Sequence, residues 1–370
     1  MGNFADLGVR KDFIKGLEEL NIIEPSEIQE KVIPLLLHDK IDLVGQAQTG
    51  TGKTAAYGLP ILHKVNPKIP KIQALILCPT RELGKQVAKQ LFKFTKYTDK
   101  IFTEAVYGGE RIEKQISALK RPTHIVVATP GRLIDLVRRK DIDIREVKMV
   151  VLDEADEMLS MGFKKELEDI LTFVNKAESK WLFSATMPIG IQDIIKNYIK
   201  SDAHRIEIGA RNSVNENINH QYVICEDSEK LPVLISFLKS QGGNRGVIFC
   251  KTKSVTQKLA KQLIAKNIST DAIHGDLQQR ERDKVMRAFK NKTLQILVAT
   301  DLAARGIDIE ALAYVVHYQM PDKDEYYTHR SGRTARAGKT GLSLSLVNTK
   351  ELKQLRFFEK TQGFQINMIR

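Results

Sequence analysis

The sequence predicts an α/β protein made of two tandem domains, each a mostly parallel sheet covered by helices on both faces. Three observations carry this. Short β-rich apolar runs alternate with longer amphipathic stretches, the pattern of parallel sheets wrapped by helices. The length of 370 residues corresponds to about two domains. The chain also repeats itself. "ILCPTRELGKQVAKQL" at 76–91 returns as "IFCKTKSVTQKLAKQL" at 248–263, with Ile248, Cys250, Thr252, Ala260, Lys261, Gln262 and Leu263 on identical residues of the earlier copy. "IVVAT" at 125–129 returns as "ILVAT" at 296–300. Two matches in one order at nearly one offset mark a duplicated unit of about 170 residues, the size of a domain rather than of a solenoid repeat. The alternative is that strand-then-helix units simply look alike, and the nucleotide motifs test it.

In the first half the apolar runs predict strands at 42–45, 74–78, 103–107, 125–128, 149–152 and 181–184. In the second half they predict 221–224, 246–249, 270–273, 296–299, 314–317 and 342–346. The best boundary is "GARNSVNENINH" at 209–220, polar, Asn-rich and without sustained apolar periodicity. The expected division is therefore a first domain at 1–208, a short flexible linker at 209–215 and a second domain at 216–370.

Apolar residues make up 42% of the chain, enough for ordinary cores, and no segment approaches the ~20 apolar residues of a membrane span. The start "MGNFADLGVRKDF" lacks a signal-peptide core, and Asp6 stands where a myristoylation pattern needs Ser or Thr. Cys78, Cys225 and Cys250 have no metal-ligand spacing and read as small hydrophobes, which fits a reducing, cytoplasmic setting. Lys and Arg total 58 against 45 Asp and Glu, a net charge of +13. Such a balance suits a polyanionic partner, since basic groups displace counterions from phosphates, although a generic basic protein would share it.

The chemistry concentrates in two stretches. "IDLVGQAQTGTGKTAAYGL" runs from an apolar strand through a glycine-rich turn into a helix, the context of a phosphate-binding loop. Gly50 and Gly52 let backbone amides close around phosphate oxygens, Lys53 would reach the β and γ phosphates, and Thr54 would ligate Mg²⁺. Ala47 stands where the strict pattern has its first Gly. "VKMVVLDEADEML" then ends a strand in Asp153 and Glu154. Asp153 would hold Mg²⁺, largely through water, and Glu154 would orient and deprotonate the attacking water. The second copy carries no Gly-Lys-Thr, so one nucleotide site is expected. It does offer Arg330, Arg333 and Arg336 in "HRSGRTARAG". Guanidinium groups can stabilise a transferring phosphoryl, while a plain basic surface helix is the alternative, one with little use for Gly332 and Gly338.

Together these residues resemble the DEAD-box RNA helicases, ATPases of superfamily two. "DEAD" stands at 153–156, and "AQTGTGKT" (47–54) is the family's own phosphate loop, which accounts for Ala47. "PTREL" (79–83), "GG" (108–109), "TPGR" (129–132), "SAT" (184–186), "VIFC" (247–250), "QRER" (279–282), "ATDLAARGID" (299–308) and "HRSGRTARAG" (329–338) follow in family order. The resemblance spans essentially the whole chain and implies two RecA-like domains. It implies that ATP is held by Phe4, Gln29, Ala47, Gln48, Thr49, Gly50, Thr51, Gly52, Lys53, Thr54 and Asp308, with Gln29 reading adenine and Asp308 contacting the ribose. Mg²⁺ would sit at Thr54 and Asp153. Lys53, Asp153, Glu154, Arg333 and Arg336 would be catalytic, the two arginines as fingers. Thr80, Arg81, Gly109, Thr129 and Arg132 would grip the RNA backbone in the first lobe, and Arg282, Thr300 and Asp301 in the second. Ser184, Thr186, Asp156 and His329 would couple hydrolysis to strand separation.

Three departures from the family pattern stand out. Asn21-Ile22 replaces Gly-Phe, so Ile22 takes the place of an aromatic that would pack near adenine. Ser26 replaces Thr and keeps the hydroxyl. Ala335 replaces the Gly between the fingers, as in some members, and activity is expected to survive it. The expected function is an RNA-stimulated ATPase that unwinds short duplexes or remodels ribonucleoproteins such as ribosomal particles, acting as a monomer with no membrane. Two rivals remain: an ATP-binding RNA clamp that seldom turns over, and a DNA helicase of the same superfamily. Multiple-turnover hydrolysis separates the first, and comparison of RNA with DNA the second.

Overall fold

A computed structural model of the chain describes residues 2–48, 50–208, 217–304, 312–335 and 340–369. The chain divides into two compact units, Met1–Gly209 and Ala210–Arg370. The expected linker at 209–215 lies outside the described residues.

The first unit holds β1 (Leu43–Gln46), β2 (Ala74–Leu77), β3 (Thr103–Val106), β4 (Ile125–Ala128), β5 (Met149–Leu152), β6 (Ser179–Ser184) and β7 (His204–Glu207). The second holds β8 (Ile218–Ile224), β9 (Gly246–Cys250), β10 (Thr270–Ile273), β11 (Ile296–Thr300), β12 (Tyr314–His317), β13 (Gly341–Val347) and β14 (Asn367–Met368). The sheet orders are β3-β4-β2-β5-β6-β1-β7 and β10-β11-β9-β12-β13-β8-β14. Numbered from its own first strand, the second sheet has the same order as the first. All pairings between these strands are parallel.

Every apolar run picked from the sequence is a strand. The two strands it omits, β7 and β14, each form one of the two edges of their sheet. β7 is largely exposed and β14 is two exposed residues long, so neither carries the apolar run that marks a buried strand.

Side chains along each central strand alternate between two cores. In β2, Leu75 and Leu77 enter one apolar cluster while Ala74 and Ile76 enter the other. In β9, Val247 and Phe249 face one cluster and Ile248 and Cys250 the other. This period of two is why both faces need helices. The repeated segment folds alike in both units. Thr80 caps the helix Arg81–Phe94 by accepting from the Leu83 amide, and Thr252 caps Lys253–Ile264 by accepting from the Val255 amide, both at 3.3 Å. Cys78, Cys225 and Cys250 are free and buried, and burial pushes the Cys250 thiol up to about 12. No helix among the described residues is long and apolar enough to cross a membrane.

Candidate active site

The nucleotide residues gather at the carboxyl ends of β1, β5 and β6, three neighbours in the first sheet. β1 runs into the phosphate loop and then into the helix Lys53–Lys64. Gly50 and Gly52 have φ of 85° and 95°, left-handed conformations that side chains resist. Gly52 is also crowded: a Cβ there would lie 2.3 Å from Gln29 Nε2 and 2.9 Å from Ser26 Oγ. Those two side chains brace the loop. Ser26 Oγ donates to the Thr51 carbonyl (2.7 Å) and Gln29 Nε2 to the Gly52 carbonyl (3.0 Å). Gln29 Oε1 accepts from the Ser26 amide, closing a capping box on the helix Glu27–His38. Ser26 thus uses its hydroxyl where the family has Thr. Gln29, expected to read adenine, is buried and also holds the loop's backbone.

Lys53 is buried, and its Nζ donates to the Ala47 carbonyl over 2.9 Å. Asp153 at the end of β5 is buried too. Its Oδ2 accepts from the Tyr57 hydroxyl (2.8 Å), whereas Oδ1 is buried without a hydrogen-bond partner. Burial raises the Asp153 carboxyl above the usual range, opposed by the Lys53 ammonium and the Tyr57 hydrogen bond. A buried carboxylate oxygen without a protein partner is a donor that fits hydrated Mg²⁺. Glu154 follows at φ 52°, ψ 52°, left-handed for a residue with a side chain.

Asp156 joins β5 to β6. Its Oδ2 accepts from both the amide and the hydroxyl of Thr186 (2.8 Å each), and its own amide donates to Ser184 Oγ (3.2 Å). Ser184 Oγ in turn donates to the Thr186 carbonyl, and the Ser184 carbonyl accepts from the Ala47 amide at the phosphate loop. The three residues expected to couple the site in this unit are therefore one network, anchored to the loop.

The residues of the first unit expected to grip RNA gather on the other half of the sheet, at the ends of β2, β3 and β4. Thr80 and Arg81 follow β2, Gly109 (φ 83°) follows β3, and Thr129 and Arg132 follow β4. Arg81 lies over the Tyr107 ring at 5.4 Å, and Arg132 donates to Gln115 Oε1 and the Glu110 carbonyl. In the second unit Thr300 and Asp301 sit at the end of β11, and Arg282 donates to the Ala303 carbonyl.

The structure also sorts the arginine triplet. Arg330 is 2% exposed and grips Asp301 with two nitrogens, Nη2–Oδ2 being 2.7 Å. It also donates to the Gln319 carbonyl and lies 5.1 Å from the Phe249 ring centre. It is an internal ion pair that neutralises Asp301. Arg333 follows just past the helix Asp324–Ser331, which carries His329. Thr49, Asp308 and Arg336 lie outside the described residues.

Phe4, expected near the nucleotide, is 2% exposed and packs within the first unit's core. Ile22 likewise packs against that core, and Asn21 before it has φ 55°, a left-handed turn that Asn tolerates in place of Gly. Sequence reasoning missed Tyr57. An aromatic inside an apolar helix reads as core, and only its partner 96 residues away shows otherwise.

In the second unit, the place of the phosphate loop falls after β8. There the helix Lys230–Ser240 also begins on a buried lysine. Lys230 Nζ meets Glu351 Oε2 at 2.8 Å and Asp227 Oδ1 at 3.0 Å. Internal carboxylates, in place of phosphates, answer this ammonium.

Family models match the chain twice, as DEAD/DEAH box helicase over residues 26–194 and as helicase conserved C-terminal domain over 229–338. The chain is 42% identical over 361 residues to the DEAD-box ATP-dependent RNA helicase CshA of Geobacillus kaustophilus, covering 98% of this chain and 77% of that one. The chain belongs to the DEAD-box helicases. Its likeness to CshA of Bacillus subtilis is 40% over 97% of the chain and 72% of that protein. Among solved structures, S. cerevisiae Dbp5 bound to RNA and ADP BeF3 matches all of this DEAD-box chain and 96% of Dbp5, with a TM-score of 0.92 and 31% identity. Mss116p bound to ssRNA and AMP-PNP matches 99% of the chain and 78% of its own, with a TM-score of 0.89 and 28% identity. The two sheets are those of tandem RecA-like domains.

Proposed function

We propose that this DEAD-box chain is an RNA-stimulated ATPase that grips single-stranded RNA with both lobes and locally unwinds short duplexes. The observation that carries it is the division of the first sheet. Phosphate-loop and acidic residues occupy the ends of β1, β5 and β6, RNA-gripping residues the ends of β2, β3 and β4, and the Asp156–Ser184–Thr186 network ties the acidic strand to the loop.

ATP is the substrate. Loop amides and Lys53 hold its phosphates, and Gln29 fixes the loop and faces the base. Thr54 and Asp153 would hold Mg²⁺, which when bound neutralises phosphate charge. Glu154 takes the proton of the attacking water, and Arg333 and Arg336 offset the charge on the transferring phosphoryl. Asp308 contacts the ribose. Thr80, Arg81, Gly109, Thr129, Arg132, Arg282 and Thr300 hold RNA through its phosphates, so recognition is largely sequence-independent. Asp301 contributes by orienting its neighbours through Arg330. ATP and RNA together favour a closed pair of lobes, which bends one strand and expels the other. The enzyme acts as a cytoplasmic monomer on RNA or ribonucleoprotein particles.

The test is steady-state ATP hydrolysis with no nucleic acid, with single-stranded RNA, and with the equivalent DNA. Stimulation by RNA alone is expected. Binding of ATP without turnover in the presence of RNA would replace the helicase with a clamp.

A further inference from the structure

We infer that Tyr57 is a positioning residue of the metal–nucleotide site: its phenolic oxygen engages one carboxylate oxygen of Asp153 and so decides which one is left for the ligand. The inference rests on the reading that Thr54 and Asp153 hold Mg²⁺.

Tyr57 lies three residues after Thr54 and four after Lys53 in the helix Lys53–Lys64, so the three are neighbours on the helix surface. It is fully buried. Its hydroxyl donates to Asp153 Oδ2 over 2.8 Å. A phenol has one proton to give, and here it goes to the residue at the end of β5 that would hold the metal.

The Tyr57 bond leaves the carboxylate asymmetric. Oδ2 is engaged by the protein, while Oδ1 is buried and unpartnered. Without the phenol both oxygens would be open and the carboxylate could turn. Packing does not require the hydroxyl. The ring lies 5.4 Å from Phe183 among buried apolar side chains, which a phenylalanine would meet equally well. A buried hydroxyl carries a desolvation cost unless it is bonded, and here its bond runs to Asp153. Partners that orient first ligands in this way commonly alter metal affinity 10–100-fold when removed.

Tyr57→Phe deletes the oxygen and keeps the ring. The measurement is the affinity of the full chain for a fluorescent ADP, first in EDTA and then across a Mg²⁺ titration, with Asp153→Ala as reference. The half-saturating Mg²⁺ concentration is expected to rise about tenfold while affinity in EDTA stays within about twofold, and Tyr57→Phe is expected to add nothing in the Asp153→Ala background. An affinity loss already present in EDTA, or a further loss in that background, overturns the proposal by showing a general structural defect. An unchanged Mg²⁺ requirement in Tyr57→Phe, with a raised one in Asp153→Ala, overturns it and leaves the metal site standing. An unchanged requirement in both variants removes the metal-site reading and the proposal together.

Discussion

Glu154 stands at a backbone conformation that L side chains adopt at a cost of about 1–2 kcal/mol, at the turn between β5 and the helix Ala155–Ser160. Strain of this kind persists where surrounding structure fixes it, and it falls here on the residue expected to act as the base. Glu154→Gln keeps the shape and removes the base. Its ATP turnover is expected to fall at least about 100-fold, with RNA retained on the protein in the presence of ATP; normal turnover in single-cycle kinetics would refute the role. Ala335 poses the opposite case. At φ 54° it occupies a position that suits glycine. Ala335→Gly relieves strain but loosens the unfolded chain, so denaturant unfolding is expected to show a net gain below about 1 kcal/mol. A loss larger than that would mean the methyl packs usefully. At this scale the placement of Lys53, Asp153 and Glu154 at strand ends and a helix start was legible, because they follow apolar runs and a glycine-rich turn. Arg330 was less so. Three arginines at equal intervals look alike, and only the fold sends the first of them inward to Asp301.

Among elements, the link from β5 to β6 and the aromatic stack of the second unit each have consequences. Thr186 meets Asp156 through both its amide and its hydroxyl. Thr186→Val removes only the hydroxyl bond, and strand separation per ATP hydrolysed is expected to drop about tenfold, with ATP turnover itself largely kept. Parallel assays of hydrolysis and duplex unwinding read this directly. In the second unit, His220 bonds the Tyr327 hydroxyl at 3.0 Å, and the His317 ring stacks on Tyr327 at 4.3 Å. Burial holds His220 at about 4 and His317 well below its usual value, with Arg330 and His220 adding to the latter. The unfolded chain therefore takes up protons below about pH 6.5 that the folded chain refuses, and stability falls as pH drops from there, by up to about 1.4 kcal/mol per pH unit for each histidine. Unfolding midpoints at pH 7.5, 6.5 and 5.5 check the sign, since a flat profile across that range would contradict it. The strands themselves were readable wherever both faces are buried. The edge strands β7 and β14 were not, since solvent on one side dissolves the apolar signal.

For the whole molecule, the proposed coupling of ATP to RNA binding is reciprocal: whatever factor RNA gives to ATP affinity, ATP gives to RNA affinity, and a factor of one would exclude the coupling. Contacts made through phosphates should weaken with salt, with a slope of about −0.7 per phosphate neutralised on a single strand. RNA affinity measured across a salt series, with and without a nonhydrolysable ATP analogue, gives both numbers. The repeat of sequence motifs announced two similar domains, and the identical strand orders bear that out. What differs lies after the first strand of each sheet. Lys230 shares its place with Lys53 but is answered from within, by Glu351 and Asp227. The second unit therefore has a lysine where a phosphate-holding one could stand, and that place is bricked up with the chain's own acids. Losing either acid leaves the other in place, and neither change supplies the glycines, so no single substitution can reopen it.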